Sequence, residues 1–235
     1  MSTPVTPTSA SGIRLLLLGA TGAVGSEVLR LALQHPQVQQ VVAPTRRPLA
    51  LGSPADGAAC PLLNPVTDFA DPALACAGHV VDAVVCALGT TIKQAGSQAA
   101  FAAVDRDLPI ALGREAQRLG ARSMALTSSL GASASGNFYL RTKHQAEDGL
   151  RELGFASYTV VRPSLIAADR ADHRPGERAG LWALRTLGPL VPKRYRPVPA
   201  RAIAHALLEA ALAGAATARG ERTIESENIG PTGCA

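Results

Sequence analysis

The sequence predicts an α/β fold, a doubly wound parallel sheet with helices on both faces and a small C-terminal cap. Two largely apolar runs, residues 13–18 and 80–88, have the composition of parallel strands buried on both faces. Strand patterns of this kind alternate with helical patterns along the chain, as they do in βαβ units. The 235 residues are 47% hydrophobic but only 3% aromatic, so we expect a core of Ala, Val and Leu.

The order of the predicted elements completes this fold. A helix over residues 24–33 ends at His35-Pro36, because proline cannot continue a helix. The other predicted elements are strands at residues 38–43, 60–63, 122–129, 157–161 and 223–225, and helices at 97–120 (interrupted at Pro109), 138–153, 179–187 and 200–213. Residues 1–12 are expected to be a flexible N-terminal tail, and residues 13–235 a single domain.

A glycine-rich turn joins the first strand to the first helix. Gly19 can form the tight turn, Gly22 lets a ligand approach the backbone, and Gly25 lets the helix pack closely on the strand. The free N–H groups and the dipole of the helix favour an anion, most simply the pyrophosphate of a dinucleotide. The predicted cofactor-binding turn is Gly19, Ala20, Thr21, Gly22, Ala23, Val24 and Gly25. A glycine turn without a ligand is the alternative.

Two adjacent arginines favour one form of the dinucleotide. NAD-specific sites place an acidic residue about twenty residues beyond the glycines, where it binds the ribose 2′-hydroxyl. This chain has no acid there but has Arg46 and Arg47, whose guanidinium groups suit a 2′-phosphate. We therefore expect NADP (NADPH) to be favoured over NAD, unless the arginines merely lie in a solvated loop.

The end of the strand at residues 80–88 forms a second part of the predicted cofactor site. Leu88, Gly89 and Thr90 lie at the carboxyl end of this strand. In an open parallel sheet, ligands bind along that edge. These three residues are therefore predicted to contact the cofactor.

A tyrosine and a lysine four residues apart carry the predicted chemistry. On a helix, Tyr139 and Lys143 share one face, so both can reach one site. The ammonium of Lys143 favours the phenolate form of a neighbouring tyrosine and can also hold the nicotinamide ribose. Ser128 or Ser129, at the end of the preceding strand, can donate a hydrogen bond to a substrate carbonyl oxygen. The alternative is that Tyr139 is a packing residue and Lys143 a solvated one.

These motifs resemble the short-chain dehydrogenase/reductase superfamily. The shared motifs are Gly-Ala-Thr-Gly-x-x-Gly, a strand ending in Ser-Ser, and Tyr-x-x-x-Lys. Further runs resemble the atypical branch of Tat-interacting-protein-like oxidoreductases: Leu88-Gly89-Thr90-Thr91, Val104-Asp105-Arg106-Asp107, Ser128-Ser129-Leu130-Gly131-Ala132, Arg162-Pro163-Ser164 and Arg174-Pro175-Gly176-Glu177. The similarity spans residues 13–213.

The resemblance implies a Rossmann-type fold and a Ser-Tyr-Lys catalytic site. It also implies NADP binding through Gly19, Thr21, Gly22, Val24, Arg46 and the turn at Leu88 to Thr90. Ser128 is the better match to the family's serine than Ser129. The interval from this serine to Tyr139 is shorter than in most of the superfamily. This departure weakens the match of the serine to the family pattern more than that of the tyrosine.

The leading functional hypothesis is an NADPH-dependent reductase or dehydrogenase for a small carbonyl or alcohol substrate. The alternative is a catalytically weak, NADP-sensing regulator that acts through protein contacts; the intact Tyr139 and Lys143 favour the enzyme. The substrate pocket is expected at residues 133–138, at the charged loop 169–177 and near Trp182. A homo-oligomer is left open.

Composition argues against several other classes. The net charge is +5, but the basic residues are scattered and aromatic residues are few, so we expect no nucleic-acid partner. No apolar span is long enough to cross a membrane, and residues 1–12 lack the positive charge of a signal peptide. The four cysteines form no Cys-x-x-Cys pair, so we expect reduced thiols, no metal site and a cytoplasmic location.

Overall fold

A seven-stranded parallel sheet forms the centre of the fold. The computed structural model describes residues 12–49, 60–76, 78–167 and 191–230. The sheet strands are β1 (Ile13–Leu18), β2 (Val38–Val42), β3 (Leu62–Leu63), β4 (Ala83–Cys86), β5 (Ser123–Thr127), β6 (Ser157–Arg162) and β9 (Gly220–Glu225). Their order is β3-β2-β1-β4-β5-β6-β9, and every neighbouring pair is parallel. Two further strands, β7 (Ile166–Ala167) and β8 (Val198–Pro199), form a separate parallel pair.

Helices cover both faces of this sheet. They are α1 (Ala23–Leu33), α2 (Pro72–Cys76), α3 (Ile92–Ala95), α4 (Gln98–Ala102), α5 (Leu108–Arg118), α6 (Phe138–Arg151) and α7 (Ala200–Ala216). Short 3-10 turns lie at Lys193–Tyr195 and Ser226–Asn228. Helices α1 and α7 pack on one face, whereas α2, α5 and α6 pack on the other. The predicted doubly wound fold is therefore confirmed.

Strand β1 shows why its sequence is almost wholly apolar. Leu15 and Leu17 pack in the layer with α1 and α7, whereas Leu16 and Leu18 pack in the layer with α2, α5 and α6. None of the four side chains is exposed. A parallel strand covered on both faces cannot carry alternating polar residues, and this one does not.

The one charged residue of β1, Arg14, forms a cross-strand ion pair. Its guanidinium donates two hydrogen bonds to Asp82, Nε to Oδ2 at 2.8 Å and NH2 to Oδ1 at 2.7 Å. The backbone N–H of Arg14 also donates to Asp82 Oδ2. These hydrogen bonds hold the pKa of the Asp82 carboxyl below its ordinary value, against the opposing effect of burial. The pair ties the amino end of β1 to the chain entering β4.

The predicted interruption of the helix at residues 97–120 is a π-helical turn. This turn, Ala103–Asp107, lies between α4 and α5, and the N–H of Leu108 donates to the carbonyl of Ala103. Pro109 stands in the first turn of α5. Proline has no N–H and its ring clashes with the carbonyl four residues earlier, so the wider turn accommodates it without breaking the helix.

The C-terminal part of the chain adds a last strand and helix to the sheet. The predicted strand at residues 223–225 is the end of β9, which pairs with β6 along six residues. The predicted helix at 179–187, the loop at 169–177, Trp182 and the N-terminal tail at 1–11 lie outside the described residues. Among the helices that the structure describes, none is both long and apolar enough to cross a membrane.

Candidate functional site

The glycine turn after β1 has the conformation that its spacing predicts. Gly19 has φ 89°, which favours glycine, and a Cβ there would lie 2.6 Å from the carbonyl oxygen of Ala87. At Gly25 a Cβ would overlap the carbonyl oxygen of Gly19, so the helix could not approach the strand as closely. The first and third glycines are therefore required by the fold itself.

Gly22 is different, because the protein leaves room for a side chain there. It is the N-cap of α1 with φ −78°, and a Cβ would meet nothing closer than the Gly19 carbonyl oxygen at 3.4 Å. Among the residues that the structure describes, no side chain caps the N–H groups of the first turn of α1. Ala20 and Val24 are buried in the core, so only their backbone atoms could face a ligand. The turn thus presents bare backbone at a helix N-terminus.

A cavity of about 510 Å³ adjoins this turn. It is lined by Thr21, Gly22 and Ala23 on the side of α1, and by Arg201 from the first turn of α7. Within the described part of the chain, Arg201 forms no ion pair. Sequence reasoning missed this arginine; the only signal was its place at the start of a predicted helix.

Arg46 and Arg47 are exposed directly beyond β2. The backbone that carries them is fixed by Thr45, whose hydroxyl donates to the carbonyl of Arg47 at 2.6 Å. The amide of Asn64 in turn donates to Thr45 Oγ1 at 2.8 Å. Neither arginine makes an ion pair with another described residue. Both guanidinium groups are therefore available to an anion at the carboxyl edge of the sheet.

Lys143 is buried and paired with an aspartate at the same edge. Its Nζ lies 2.7 Å from Oδ1 of Asp105, which is in the π-helical turn. The other carboxylate oxygen of Asp105 accepts the backbone N–H of Thr90 at 2.8 Å. Asp105 is 2% exposed and Lys143 is 7% exposed. The sequence placed Asp105 in a family motif but gave it no role.

Tyr139 lies in the first turn of α6, one turn before Lys143. The side chain of Asn137 caps this helix by accepting the N–H of Leu140 at 3.0 Å. The tyrosine ring is half-buried and contacts Phe101, with ring centroids 5.5 Å apart. Its hydroxyl makes no hydrogen bond to any described residue. The ring is thus held by packing while the hydroxyl is unengaged.

The two serines after β5 lie in different surroundings. Ser128 is buried, and its hydroxyl donates to Oε1 of Glu147. Glu147, fully buried in α6, is also held by Arg162, through Nε to Oε1 at 3.0 Å and NH2 to Oε2 at 2.5 Å. Ser129 is half-buried, and its hydroxyl is 3.5 Å from the carbonyl of Leu130. Ser128 is therefore engaged within the protein, whereas Ser129 is only weakly engaged.

The sheet order brings these parts together in a row. The carboxyl ends of β2, β1, β4 and β5 are neighbours along one edge. They carry, in that order, the arginine pair, the glycine turn, the turn at Leu88 to Thr90 and the two serines. Helix α6 brings Lys143 beside the turn at Leu88 to Thr90, since a Cβ on Gly89 would lie 3.7 Å from its Nζ, and it carries Tyr139 one turn earlier. The residues predicted at 169–177 and Trp182 lie outside the described part of the chain.

Comparisons with known proteins show the family to which this chain belongs. A family model described as NAD(P)H-binding matches residues 19–212. The chain belongs to this NAD(P)H-binding family. It is 32% identical to protein fmp52, mitochondrial, of Emericella nidulans, over 73% of this chain and 75% of the relative. It is 34% identical to protein HTATIP2 of Rattus norvegicus, over 69% of this chain and 66% of the relative. The predicted resemblance to Tat-interacting-protein-like proteins is confirmed.

Solved structures with low sequence identity share the fold of this NAD(P)H-binding chain. A 3-oxoacyl (acyl-carrier-protein) reductase from Agrobacterium tumefaciens C58 with NADP bound superposes with a TM-score of 0.64 at 18% identity. The match covers 90% of this chain and 92% of that one. The L-sorbose reductase of Gluconobacter frateurii, complexed with NADPH and L-sorbose, superposes with a TM-score of 0.64 at 13% identity. That match covers 93% of this chain and 97% of the reductase. The Rossmann-type fold is therefore shared with oxidoreductases.

Proposed function

We propose that this protein is an NADPH-dependent oxidoreductase that reduces a small carbonyl substrate or oxidises the matching alcohol. The observation that carries the proposal is the row of elements along one sheet edge, from the exposed arginine pair through the glycine turn to Tyr139 and Lys143. A dinucleotide is an elongated ligand, and such a row offers it a phosphate site at one end and a proton donor at the other.

The cofactor residues fit NADPH chemically. Gly22 has space for a Cβ within the protein, so its lack of a side chain is best explained by a ligand that approaches the backbone. The uncapped first turn of α1 favours the pyrophosphate, and Arg201 adds a positive charge to the same cavity. Arg46 and Arg47 suit the 2′-phosphate that distinguishes NADPH from NADH.

The reacting groups of the protein lie on α6 and after β5. The bound cofactor supplies the hydride. In reduction, Tyr139 gives its hydroxyl proton to the carbonyl oxygen, and in oxidation it takes the proton from the alcohol. Lys143, one turn further along α6, would hold the cofactor ribose, and its positive charge would stabilise the negative charge that develops on the tyrosine oxygen. Phe101 fixes the tyrosine ring without engaging its hydroxyl.

The geometry bears most on which of the two serines contacts the substrate. Ser128, which the sequence favours, already donates its hydroxyl hydrogen to Glu147. It could hold a substrate oxygen only after turning away from that buried carboxylate. Ser129 has only a long contact to give up. We therefore propose Ser129 for direct contact with substrate and Ser128 for fixing the end of the strand against α6.

The test of the proposal begins with cofactor binding. We expect calorimetry to show tighter binding of NADPH than of NADH, and Arg46→Ala combined with Arg47→Ala to remove most of the difference. A charge-assisted contact contributes roughly 1.5–3 kcal/mol, or about ten- to a hundredfold in affinity. Arg122→Ala, which changes an exposed arginine just before β5, is the matched control. Equal affinity of the wild-type protein for the two cofactors would contradict NADPH preference.

Activity is tested next with a panel of small carbonyl compounds. Oxidation of NADPH is followed by its absorbance, with each compound and without substrate. Turnover of any compound that depends on Tyr139 supports the enzyme. Tight NADPH binding with no turnover across the panel would instead favour the NADP-sensing regulator.

A further inference from the structure

We propose that Asp105 is the positioning residue of this site: its carboxylate joins Lys143 to the backbone of the Leu88 to Thr90 turn, so that lysine and turn move as one unit. The inference rests on the proposed function, because it concerns how the same site holds its cofactor. The carboxylate contacts both partners: Oδ1 forms an ion pair with Lys143 Nζ at 2.7 Å without hydrogen-bond geometry, and Oδ2 accepts the Thr90 N–H at 2.8 Å.

Burial makes this pair more than an incidental contact. A salt bridge on the surface contributes little, but a buried charge without its partner is strongly unfavourable. Asp105 and Lys143 are both buried, so removing either partner would leave the other unpaired in the protein interior. Gly89 leaves the pair open on one side, since a Cβ there would lie 3.5 Å from Asp105 Oδ1 and 3.7 Å from Lys143 Nζ. The lysine therefore faces a turn that is predicted to contact the cofactor.

The π-helical turn explains how the carboxylate reaches this position. Asp105 lies in the middle of the turn, where the wider backbone precedes Pro109. The neighbouring Asp107 is exposed and binds Arg106, with Nε to Oδ1 at 2.7 Å. Two aspartates of one turn thus point to opposite environments. Asp107 is a matched control for any substitution at Asp105.

Other groups around the pair are neutral or already paired. The titratable and charged groups close to it along the π-helical turn and α6, or beside it in β4, include Cys86, Arg106, Asp107, Tyr139, His144 and Glu147. Burial raises the pKa of Cys86 to about 11, so its thiol is neutral. Glu147 is bound by Arg162, and His144 Nε2 lies 3.2 Å from Asp148. Removing the Asp105 charge would therefore change the electrostatic environment of Lys143 and Tyr139 more than that of the other groups.

The first measurement follows the lysine itself and does not need a substrate. The chain has only three lysines, Lys93, Lys143 and Lys193, so a protein labelled with ¹³C at lysine Cε gives three signals. Lys143→Arg assigns the signal of interest. In Asp105→Asn we expect the Lys143 signal to move in frequency and to narrow, because the side chain loses the carboxylate that fixes its ammonium group. Asp107→Asn leaves it unchanged. An identical Lys143 signal in wild type and Asp105→Asn would overturn the inference.

The second measurement links the pair to the reaction. Without the carboxylate, the lysine is no longer held in place near the reacting tyrosine, so kcat in Asp105→Asn falls while the KM of the carbonyl substrate changes little. NADPH affinity falls as well, since the lysine is no longer held against the turn. Lower thermal stability with unchanged kcat and unchanged NADPH affinity would mean that Asp105 is merely structural.

A further variant covers the case in which Asp105→Asn folds poorly. Asp105→Asn combined with Lys143→Met removes both charges, and replacing a buried pair by neutral groups is far less costly than removing one partner. We expect the double variant to be more stable than Asp105→Asn alone. Equal or lower stability would contradict the coupling. Failure of the wild-type protein to bind NADPH would remove the proposed function, while the Lys143 signal would still decide whether Asp105 positions Lys143.

Discussion

At the scale of single residues, the tyrosine has the clearest expected effect. Tyr139→Phe removes only a hydroxyl that makes no hydrogen bond within the described structure, so the packing on Phe101 is kept. Turnover is expected to fall by roughly a hundred- to ten-thousandfold, the contribution of positioned proton transfer, while NADPH affinity barely changes. Steady-state kinetics and calorimetry measure the two. Tyr195→Phe, at an exposed tyrosine, is the control. Near-normal turnover in Tyr139→Phe would rule out this mechanism.

Alanine substitutions distinguish the roles of the two serines, because they are expected to affect turnover and stability differently. Ser129→Ala is expected to lower turnover with little change in stability, because its hydroxyl is barely engaged in the protein. Ser128→Ala removes a donor from the buried carboxylate of Glu147 and is expected to destabilise the fold by about 1–3 kcal/mol. Thermal unfolding and kinetics on both variants distinguish the roles. A larger loss of turnover in a fully stable Ser128→Ala would restore the assignment favoured by the sequence.

At the scale of elements, the strand-to-helix turn divides its glycines into two kinds. Gly22→Val is expected to abolish NADPH binding with little loss of stability, since the protein leaves space for a side chain there. Gly25→Ala is expected to destabilise the protein by about 1–3 kcal/mol or more, because its methyl group would overlap the Gly19 carbonyl. Calorimetry and thermal unfolding measure these effects. Unchanged NADPH binding in Gly22→Val would disprove the assignment of the turn to the cofactor.

The sequence could predict the elements more fully than the contacts between them. Apolar strands, the glycine spacing and the Tyr-x-x-x-Lys spacing are local patterns, and each appears where predicted. The partner of Lys143 could not be predicted, because Asp105 is 38 positions earlier and reaches it only through the π-helical turn. The Ser128 to Glu147 contact likewise depends on how α6 docks on β5. Long-range side-chain pairing leaves no periodic signal in one sequence.

At the scale of the whole molecule, one ion pair lies far from the candidate site. The site lies at the carboxyl edge of the sheet, whereas the Arg14 to Asp82 pair joins the strands at the opposite end. Substitutions in this pair can therefore change stability without touching the site. The pair contributes to stability against acid, because its hydrogen bonds lower the pKa of Asp82 in the folded state.

Asp82→Asn tests that end of the molecule. The pKa of Asp82 is lowered in the folded state, so its contribution is present above the pKa of an unfolded aspartate, about 3.9, and is lost as the pH falls through the lower folded value. At pH 7 the variant is expected to unfold about 2–4 °C below wild type, a shift that corresponds to roughly 1 kcal/mol, because the side chains remain 36% and 32% exposed. The difference shrinks below about pH 4. Glu152→Gln, at an exposed acid, is the control. A difference that stays constant from pH 7 to pH 3 would contradict the linkage.

The π-helical turn constrains which changes of length this protein can accept. In an ordinary helix, each residue added or removed rotates everything beyond it by about 100°, whereas a π-helical turn takes up one extra residue in a single wider turn. Deleting one residue from Ala103–Asp107 would therefore restore an ordinary α-helix and leave α4 and α5 facing the core as they do now. Phe101 and Leu112, both fully buried, would keep their places, whereas the position of Asp105 beside Lys143 depends on the wider turn. A deletion of one residue in this segment is therefore expected to be tolerated by the fold and to disturb the site.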